Sequence, residues 1–278
     1  MNGARMRRLT DAGMTVCLFF LMGFPFFGMT AHMTAGTAFF LLLGLHHWLN
    51  RRWVSSLPRG RWNAVRYLQT GANLWLAAVM AALLWSSLIL ARPVLGNLPI
   101  PGSMTLGREM HTAAAYWGFL AMSFHIGLHG DRVISRLKKA GSRTRALASA
   151  AGRLLPLYGL WTFWDRNWIS YLFLQNEFVF FDPGESRFLF YLDHAAIMAL
   201  FLRLGREALR LARRRRENTE KEREKGGLHE TVVFHGTGRM ASCGDFRLRL
   251  CPCFLRTVPV GSGCAGFCGG KGNSEGRT

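Results

Sequence analysis

The fold of this 278-residue chain is constrained above all by a succession of apolar segments, each long enough to cross a lipid bilayer as a helix. A helix needs about 17–25 mainly apolar residues to span the hydrocarbon core. Half of the chain is hydrophobic, and its apolar residues are gathered in such segments. We predict an all-α fold, a polytopic membrane helix bundle with about six transmembrane helices. The expected helices are Ala12–Met29, His32–Trp53, Tyr67–Ala91, Glu109–Gly130, Ala146–Trp164 and Phe188–Leu204.

The distribution of basic residues predicts the topology of these helices. A net charge of +19 would suit either a nucleic-acid-binding protein or a membrane protein with basic loops. Lys and Arg stand at the N-terminus and after the second, fourth and sixth expected helices, whereas segments 93–107 and 165–187 hold few of them. Because Lys and Arg collect in cytoplasmic loops, we expect a multi-pass protein with both termini in the cytoplasm and no nucleic-acid partner. The first helix follows a basic start, but no clean cleavage site follows it, so we expect it to be retained.

The chain divides by composition into a helical membrane domain, residues 1–212, and a tail, residues 213–278. The tail starts basic and becomes rich in glycine and cysteine, which predicts disorder. Five of the six cysteines lie there. They form neither the paired C-x2-C motifs of a zinc site nor the C-x-x-C-H motif of covalently attached haem.

Histidines recur at one interval in two of the expected helices. His32 and His46 are fourteen residues apart, and so are His111 and His125. Fourteen residues return an α-helix to within about 40° of its starting direction and advance it by about 21 Å, so each pair shares a helix face. Since an even number of crossings separates these helices, they should run parallel. The histidines should then form an outer level, at 32 and 111, and an inner level, at 46 and 125.

Paired imidazoles at two depths indicate haem chemistry. Two nitrogens from facing helices can be the axial ligands of a six-coordinate haem iron. We therefore predict a four-helix core that binds two b haems, with axial ligands His32, His46, His111 and His125. Arginines flank both levels, and they could pair with haem propionates or serve only as topology signals. The candidate propionate partners are Arg51, Arg66 and Arg108.

Three further histidines leave the ligand assignment open. His47 lies on a neighbouring face of the second helix, and His129 lies one turn below His125 on the same face. Either could replace an inner ligand, or bond a propionate or a quinone. His194, beside Asp193, could serve a third site or a structural role. Zinc or copper binding and proton relay are further uses of intramembrane histidine, but a compact metal site needs ligands at one depth.

Several motifs resemble those of the flavinylation-associated cytochrome family, formerly a domain of unknown function. They are LHHWLNRRW (45–53), RYLQTGANL (66–74), HTAAAYWGFLAMSFHIGLH (111–129) and FLQNEFVFFD (173–182). The resemblance covers about residues 5–210 in order but not the tail. It implies a bacterial membrane b-type cytochrome that passes electrons to a flavin-bearing extracytoplasmic partner, with the same four histidines as ligands. His194 is a departure, because an aromatic residue is expected at that position.

The sequence thus predicts a di-haem cytochrome of the bacterial cytoplasmic (inner) membrane. We expect an electron-transfer component rather than a stand-alone enzyme, with the lipid bilayer, an extracytoplasmic flavoprotein and a quinone as partners. Two alternatives stay open. The same core could belong to a quinone- or ferric-reducing membrane enzyme, or the histidines could be structural residues of a non-redox transporter or scaffold.

Overall fold

The protein, as a computed structural model, is described for residues 3–59, 62–96, 99–130, 141–175, 182 and 184–234. These residues form helices and contain no strand, which confirms the predicted all-α class. The helices are α1 (Gly3–Met22), α2 (Phe24–Ser56), α3 (Ala64–Ala91), α4 (Met104–Leu128), α5 (Ser142–Asp165), α6 (Trp168–Leu172) and α7 (Arg187–Phe234). Within this described part, three segments are long and apolar enough to cross a membrane: Phe24–Ser56, Ala64–Ala91 and Arg187–Glu222.

The first two helices form an antiparallel hairpin. Gly28 has a φ of 77° and interrupts α2 near its start; glycine suits this left-handed conformation because it has no Cβ to clash. Leu21 of α1 faces Gly36 of α2, and Gly13 faces Leu42. The residues pair in opposite chain order, so the two helices run antiparallel. The expected first helix, Ala12–Met29, therefore ends earlier in the structure, where Gly23 separates α1 from α2.

The third and fourth helices form a second antiparallel hairpin. Side chains cap both helix starts. At the start of α3, the Asn63 side chain accepts a hydrogen bond from the Arg66 backbone N–H at 2.9 Å, and at the start of α4, the Ser103 hydroxyl accepts one from the Leu106 backbone N–H. Such caps satisfy amides that have no partner within the helix. Gly118 of α4 faces Met80 of α3 across the interface. The absence of a side chain at this position makes room for the Met80 side chain.

The last long helix packs against α4 through glycines on both helices. Gly127 of α4 meets the backbone of Leu202, and Gly205 of α7 meets the backbone carbonyl of Phe124. A Cβ at either glycine would collide with backbone atoms that cannot rotate away. Contacts of this small-residue type are how membrane helices approach closely. Phe119 of α4 contacts His194 of α7, and Gly127 meets Leu202 eight residues further along both helices, so α4 and α7 run parallel.

The proline within α5 creates a contact with α7. Pro156 has no N–H, so the carbonyl of Gly152 loses its helical partner. Arg203 of α7 donates a hydrogen bond to that carbonyl at 3.0 Å. One helical turn beyond the proline, Gly159 lies against the backbone of Ala196. These contacts pair the two helices in opposite chain order, so α5 is antiparallel to α7.

The final helix is longer than predicted. The sixth expected helix ends at Leu204, and residues 213–278 are expected to form a disordered tail. In the structure α7 continues to Phe234, beyond the expected end at Leu204. Arg210–Glu207 and Arg216–Glu220 pairs lie along the exposed helix and support it weakly. The five tail cysteines lie outside the described residues.

Much of the outer surface is apolar. Large exposed side chains on α2, α3 and α5 include Leu41, Leu74, Leu157 and Trp161. Soluble proteins rarely expose apolar patches of this extent, and a bilayer covers them without an unfavourable water contact. Exposed tryptophans also lie near the helix ends, as membrane–water interfaces favour; they include Trp53, Trp62, Trp85 and Trp164. The surface and the three apolar helices indicate a membrane protein.

Candidate functional site

The outer histidines lie together between α2 and α4. The ring centroids of His32 and His111 are 6.0 Å apart, and the ring planes are inclined by 68°. A histidine nitrogen binds a metal at about 2.0–2.1 Å, so two imidazoles on opposite sides of one ion have centroids roughly 6 Å apart. The separation of this pair therefore suits a shared metal.

Two serines of α3 determine where the proton of His111 resides. Nδ1 of His111 lies 3.5 Å from Oγ of Ser86 and 3.3 Å from Oγ of Ser87. Both hydroxyls donate their own hydrogen to the Leu83 carbonyl, so they can only accept from the ring. A neutral His111 then carries its proton on Nδ1, and its Nε2 lone pair stays free. This is the form of histidine that binds a metal.

His32 has a different environment. Within the described part of the chain, its Nδ1 is buried without a hydrogen-bond partner. The backbone of Leu21 approaches the ring, but Nδ1 makes no hydrogen bond of normal geometry with it. Phe24 packs edge-on against the ring, with centroids 5.1 Å apart. Buried polar atoms in proteins usually have a hydrogen-bond partner, so the unsatisfied Nδ1 of His32 favours a further bonding partner at the outer level.

The inner histidines are held by side chains from two other helices. Nδ1 of His46 lies 2.8 Å from Oδ1 of Asp11 on α1, and Nδ1 of His125 lies 2.8 Å from Oδ1 of Asn73 on α3. Carboxylate and amide oxygens only accept, so both rings donate from Nδ1 and keep Nε2 free when neutral. His46 also lies close enough to His125 for the two to interact electrostatically.

The two levels are separated by continuous helix. Both α2 from His32 to His46 and α4 from His111 to His125 are helical without interruption. Fourteen residues at the helical rise separate the levels by about 21 Å along each axis. The pairings join residues in the same chain order, so α2 and α4 run parallel. The structure therefore places His32 beside His111 and His46 within electrostatic range of His125.

The three flanking arginines occupy varied positions. The Arg51 guanidinium lies 4.5 Å from the centroid of Trp48. Arg66 donates hydrogen bonds to the carbonyls of Ser56 and Leu57, which end α2, and Arg108 is exposed one turn before His111. Arg51 and Arg66 thus have structural contacts at the inner end. A surface cavity of about 380 Å³ between α2 and α3 is lined in part by Arg66 and by no histidine.

The remaining histidines lie in three different settings. His47 and His129 are exposed at the inner end, with ring centroids 5.8 Å from His46 and 4.9 Å from His125 respectively. His194 is buried, and its Nδ1 bonds the backbone carbonyl of Phe190 at 2.8 Å. Its ring contacts the aromatic side chains of Phe119, Trp168 and Phe190. His194 is therefore built into an aromatic cluster of α4, α6 and α7.

Sequence reasoning missed the groups that hold the histidine rings: Asp11, Asn73, Ser86 and Ser87. Each is a polar residue within or beside an apolar helix, and that was the available signal. Asp11 directly precedes the first expected helix, Ala12–Met29, and Asn73 stands within the motif RYLQTGANL. Their partners are between 24 and 52 residues away in the chain, so local spacing could not identify them.

The described residues contain no group of three or more His, Cys, Asp or Glu side chains that could hold a bare metal ion. The donors are instead imidazoles in pairs, which suits a metal whose remaining ligands come from a macrocycle. No known protein family, curated protein or solved structure matches the chain. The resemblance to flavinylation-associated cytochromes therefore stays a prediction.

Proposed function

We propose that the protein is an integral membrane cytochrome that binds two b haems and transfers electrons across the bacterial cytoplasmic membrane. One haem is held by His32 and His111, the other by His46 and His125. When bound, haem supplies one-electron redox chemistry, and the chain supplies ligands, burial and orientation. A flavin-bearing extracytoplasmic protein is the proposed acceptor.

The hydrogen bonding of the histidine rings carries this proposal. Three of the four rings present Nδ1 to an acceptor: Ser86 and Ser87 for His111, Asp11 for His46, and Asn73 for His125. Metal-binding histidines characteristically donate their second N–H to such a group, which fixes the tautomer and directs Nε2 to the metal. Histidines that only fill space between helices do not need an acceptor at Nδ1, yet such an acceptor is present at both histidine levels.

We further propose six membrane crossings, formed by α1, α2, α3, α4, α5 and the first part of α7. Successive helices in this series run in alternating directions, as repeated crossings require. The helix α4, which carries His111 and His125, is not among the three segments apolar enough to cross a membrane by composition alone, but its buried face lies against α3 and α7 rather than lipid. Single cysteines introduced at Ser55 and Ser103 test the topology: a membrane-impermeant thiol reagent should label Ser103→Cys in intact cells and Ser55→Cys only after lysis.

Haem content of the purified full-length chain tests the function. After expression with ample haem, the reduced-minus-oxidised visible spectrum should show b-type bands, and the pyridine haemochrome assay should give about two haems per chain. A protein free of haem under these conditions would favour a transporter or scaffold with structural histidines. Rapid reduction by a quinol in membranes, without an added partner, would favour the quinone-reactive alternative.

A further inference from the structure

The two histidine levels differ in the charge of the groups that hold them. At the inner level, the Asp11 carboxylate accepts the Nδ1–H of His46 at 2.8 Å. At the outer level, His111 has only neutral hydroxyls, at 3.3 Å or more, and His32 has an unsatisfied Nδ1 among the described residues. Among the described residues, only the inner pair therefore has an anionic acceptor.

An anionic acceptor changes the metal affinity of the ring that it holds. A carboxylate bonded to Nδ1–H draws the proton away and makes Nε2 a stronger donor. A stronger donor stabilises the ferric over the ferrous iron, and second-shell hydrogen bonding is a main determinant of haem potential. Asp11 also lies within electrostatic range of His125.

Basic residues at the same end act in the opposite direction. Arg51 and Arg66, however, contact Trp48, Ser56 and Leu57 near the ends of the helices. Water and salt screen the charges of guanidinium groups that do not touch the ligand rings, whereas the Asp11 carboxylate, although half exposed, bonds the His46 ring directly at 2.8 Å. The contact between Asp11 and His46 should therefore determine which of the two haem sites has the lower reduction potential.

We propose that Asp11 is a positioning residue that gives the inner haem site a lower reduction potential than the outer one. This proposal rests on the proposed function. It assigns a direction to the protein, because electrons move spontaneously from the lower to the higher potential. The fold would thus favour electron flow from the cytoplasmic level to the extracytoplasmic level.

Optical redox titration of the purified holoprotein tests this assignment. We expect two midpoints in the wild type, and the single midpoint left in His111→Ala identifies the inner haem. Asp11→Asn keeps a hydrogen-bond acceptor but removes the charge, so the lower midpoint should rise while the higher one stays. We expect at least a tenfold change in the oxidised-to-reduced ratio at a fixed potential, which is about 59 mV for one electron.

Two further variants make the test specific. Asn73→Asp places a carboxylate beside Nδ1 of His125, so it should lower the midpoint of the inner haem. This variant tests the effect of charge even if Asp11→Asn fails to fold. Glu207→Gln removes a charge from an exposed pair with Arg210 on α7, and neither midpoint should move.

The outcomes separate the two proposals. A wild type without haem overturns the proposed function. A wild type with two haems whose midpoints do not respond to Asp11→Asn or Asn73→Asp overturns only the role of Asp11. An inner haem that has the higher midpoint overturns the assigned direction.

Discussion

Asn73 Oδ1 lies 2.8 Å from Nδ1 of His125 and joins α3 to α4 at the inner level. The amide oxygen can only accept, so it holds the imidazole in one orientation and one tautomer. Ser86 and Ser87 do the same for His111 at the outer end of the same helix pair. The hairpin of α3 and α4 thus presents two oriented histidines, and α2 supplies their partners.

Loss of one outer ligand should remove one haem and leave the other. His111→Ala should lower the haem content from about two to about one per chain, since each iron depends on its own pair of axial nitrogens. Pyridine haemochrome analysis of the purified variant measures this. His47→Ala, which removes an exposed histidine of α2, is the matched control and should retain both haems. Equal haem content in His111→Ala and wild type would contradict the ligand assignment.

Loss of the amide that holds His125 should weaken the inner site selectively. Asn73→Ala leaves the imidazole free to change tautomer and rotate, and loss of such a partner typically costs about 10–100-fold in metal affinity. Haem retention during titration with a haem-scavenging apoprotein measures the effect. The control is Asn50→Ala, because Asn50 bonds the backbone carbonyl of His46 and not its ring. If both variants retain haem equally, the Asn73 contact does not stabilise the ligand.

The glycine contacts between α4 and α7 should be sensitive to a single methyl group. A Cβ at Gly205 would collide with the Phe124 carbonyl, and overpacking of this kind costs about 1–3 kcal/mol. Gly205→Ala should therefore lower the thermal unfolding midpoint in detergent. Gly71→Ala on α3 adds the same methyl group at a position where no atom lies within 4 Å. The thermal unfolding midpoint of this variant should not fall.

The ion pairs of Arg166 should stabilise the end of the bundle where α5 turns into α6. Arg166 pairs with Glu185 and, at 2.6 Å, with Asp193 of α7. Replacing Arg166 by Gln should cost about 1.5–3 kcal/mol, the usual range for hydrogen bonds to charged groups. Chemical denaturation of the detergent-solubilised protein measures the loss. Arg210→Gln, which breaks an exposed pair with Glu207, should cost no more than about 1 kcal/mol.

The pH dependence of this contribution follows from the arginine. Burial lowers the pKa of Arg166, but the bonds to Glu185 and Asp193 outweigh it and hold the pKa above the ordinary value. A raised pKa contributes stability below the unfolded pKa, which is lost only as pH rises through the folded pKa. Both values lie at strongly alkaline pH, so the difference between wild type and Arg166→Gln should not change between about pH 7 and 9. A difference that shrinks across this range would contradict the assignment.

The sequence determined the helices and the spacing of the histidines. Apolar segments of bilayer length permit little besides helices, because backbone groups in hydrocarbon must bond within their own segment. The fourteen-residue intervals place His32 with His46, and His111 with His125, on common faces wherever the helix is continuous. Helix bounds were less well determined, since the chain at Gly23 and beyond Leu204 follows packing and local turns rather than hydropathy.

Only the tertiary structure decided which groups hold the histidine rings. The partners of His46, His125 and His111 come from α1 and α3, and their identity depends on how the two hairpins pack together. The glycines at 127 and 205 likewise have a role only because two helices meet there. The physical reason is range: helical periodicity acts over a few turns of one segment, whereas a hydrogen bond between helices requires the angle, rotation and depth of both.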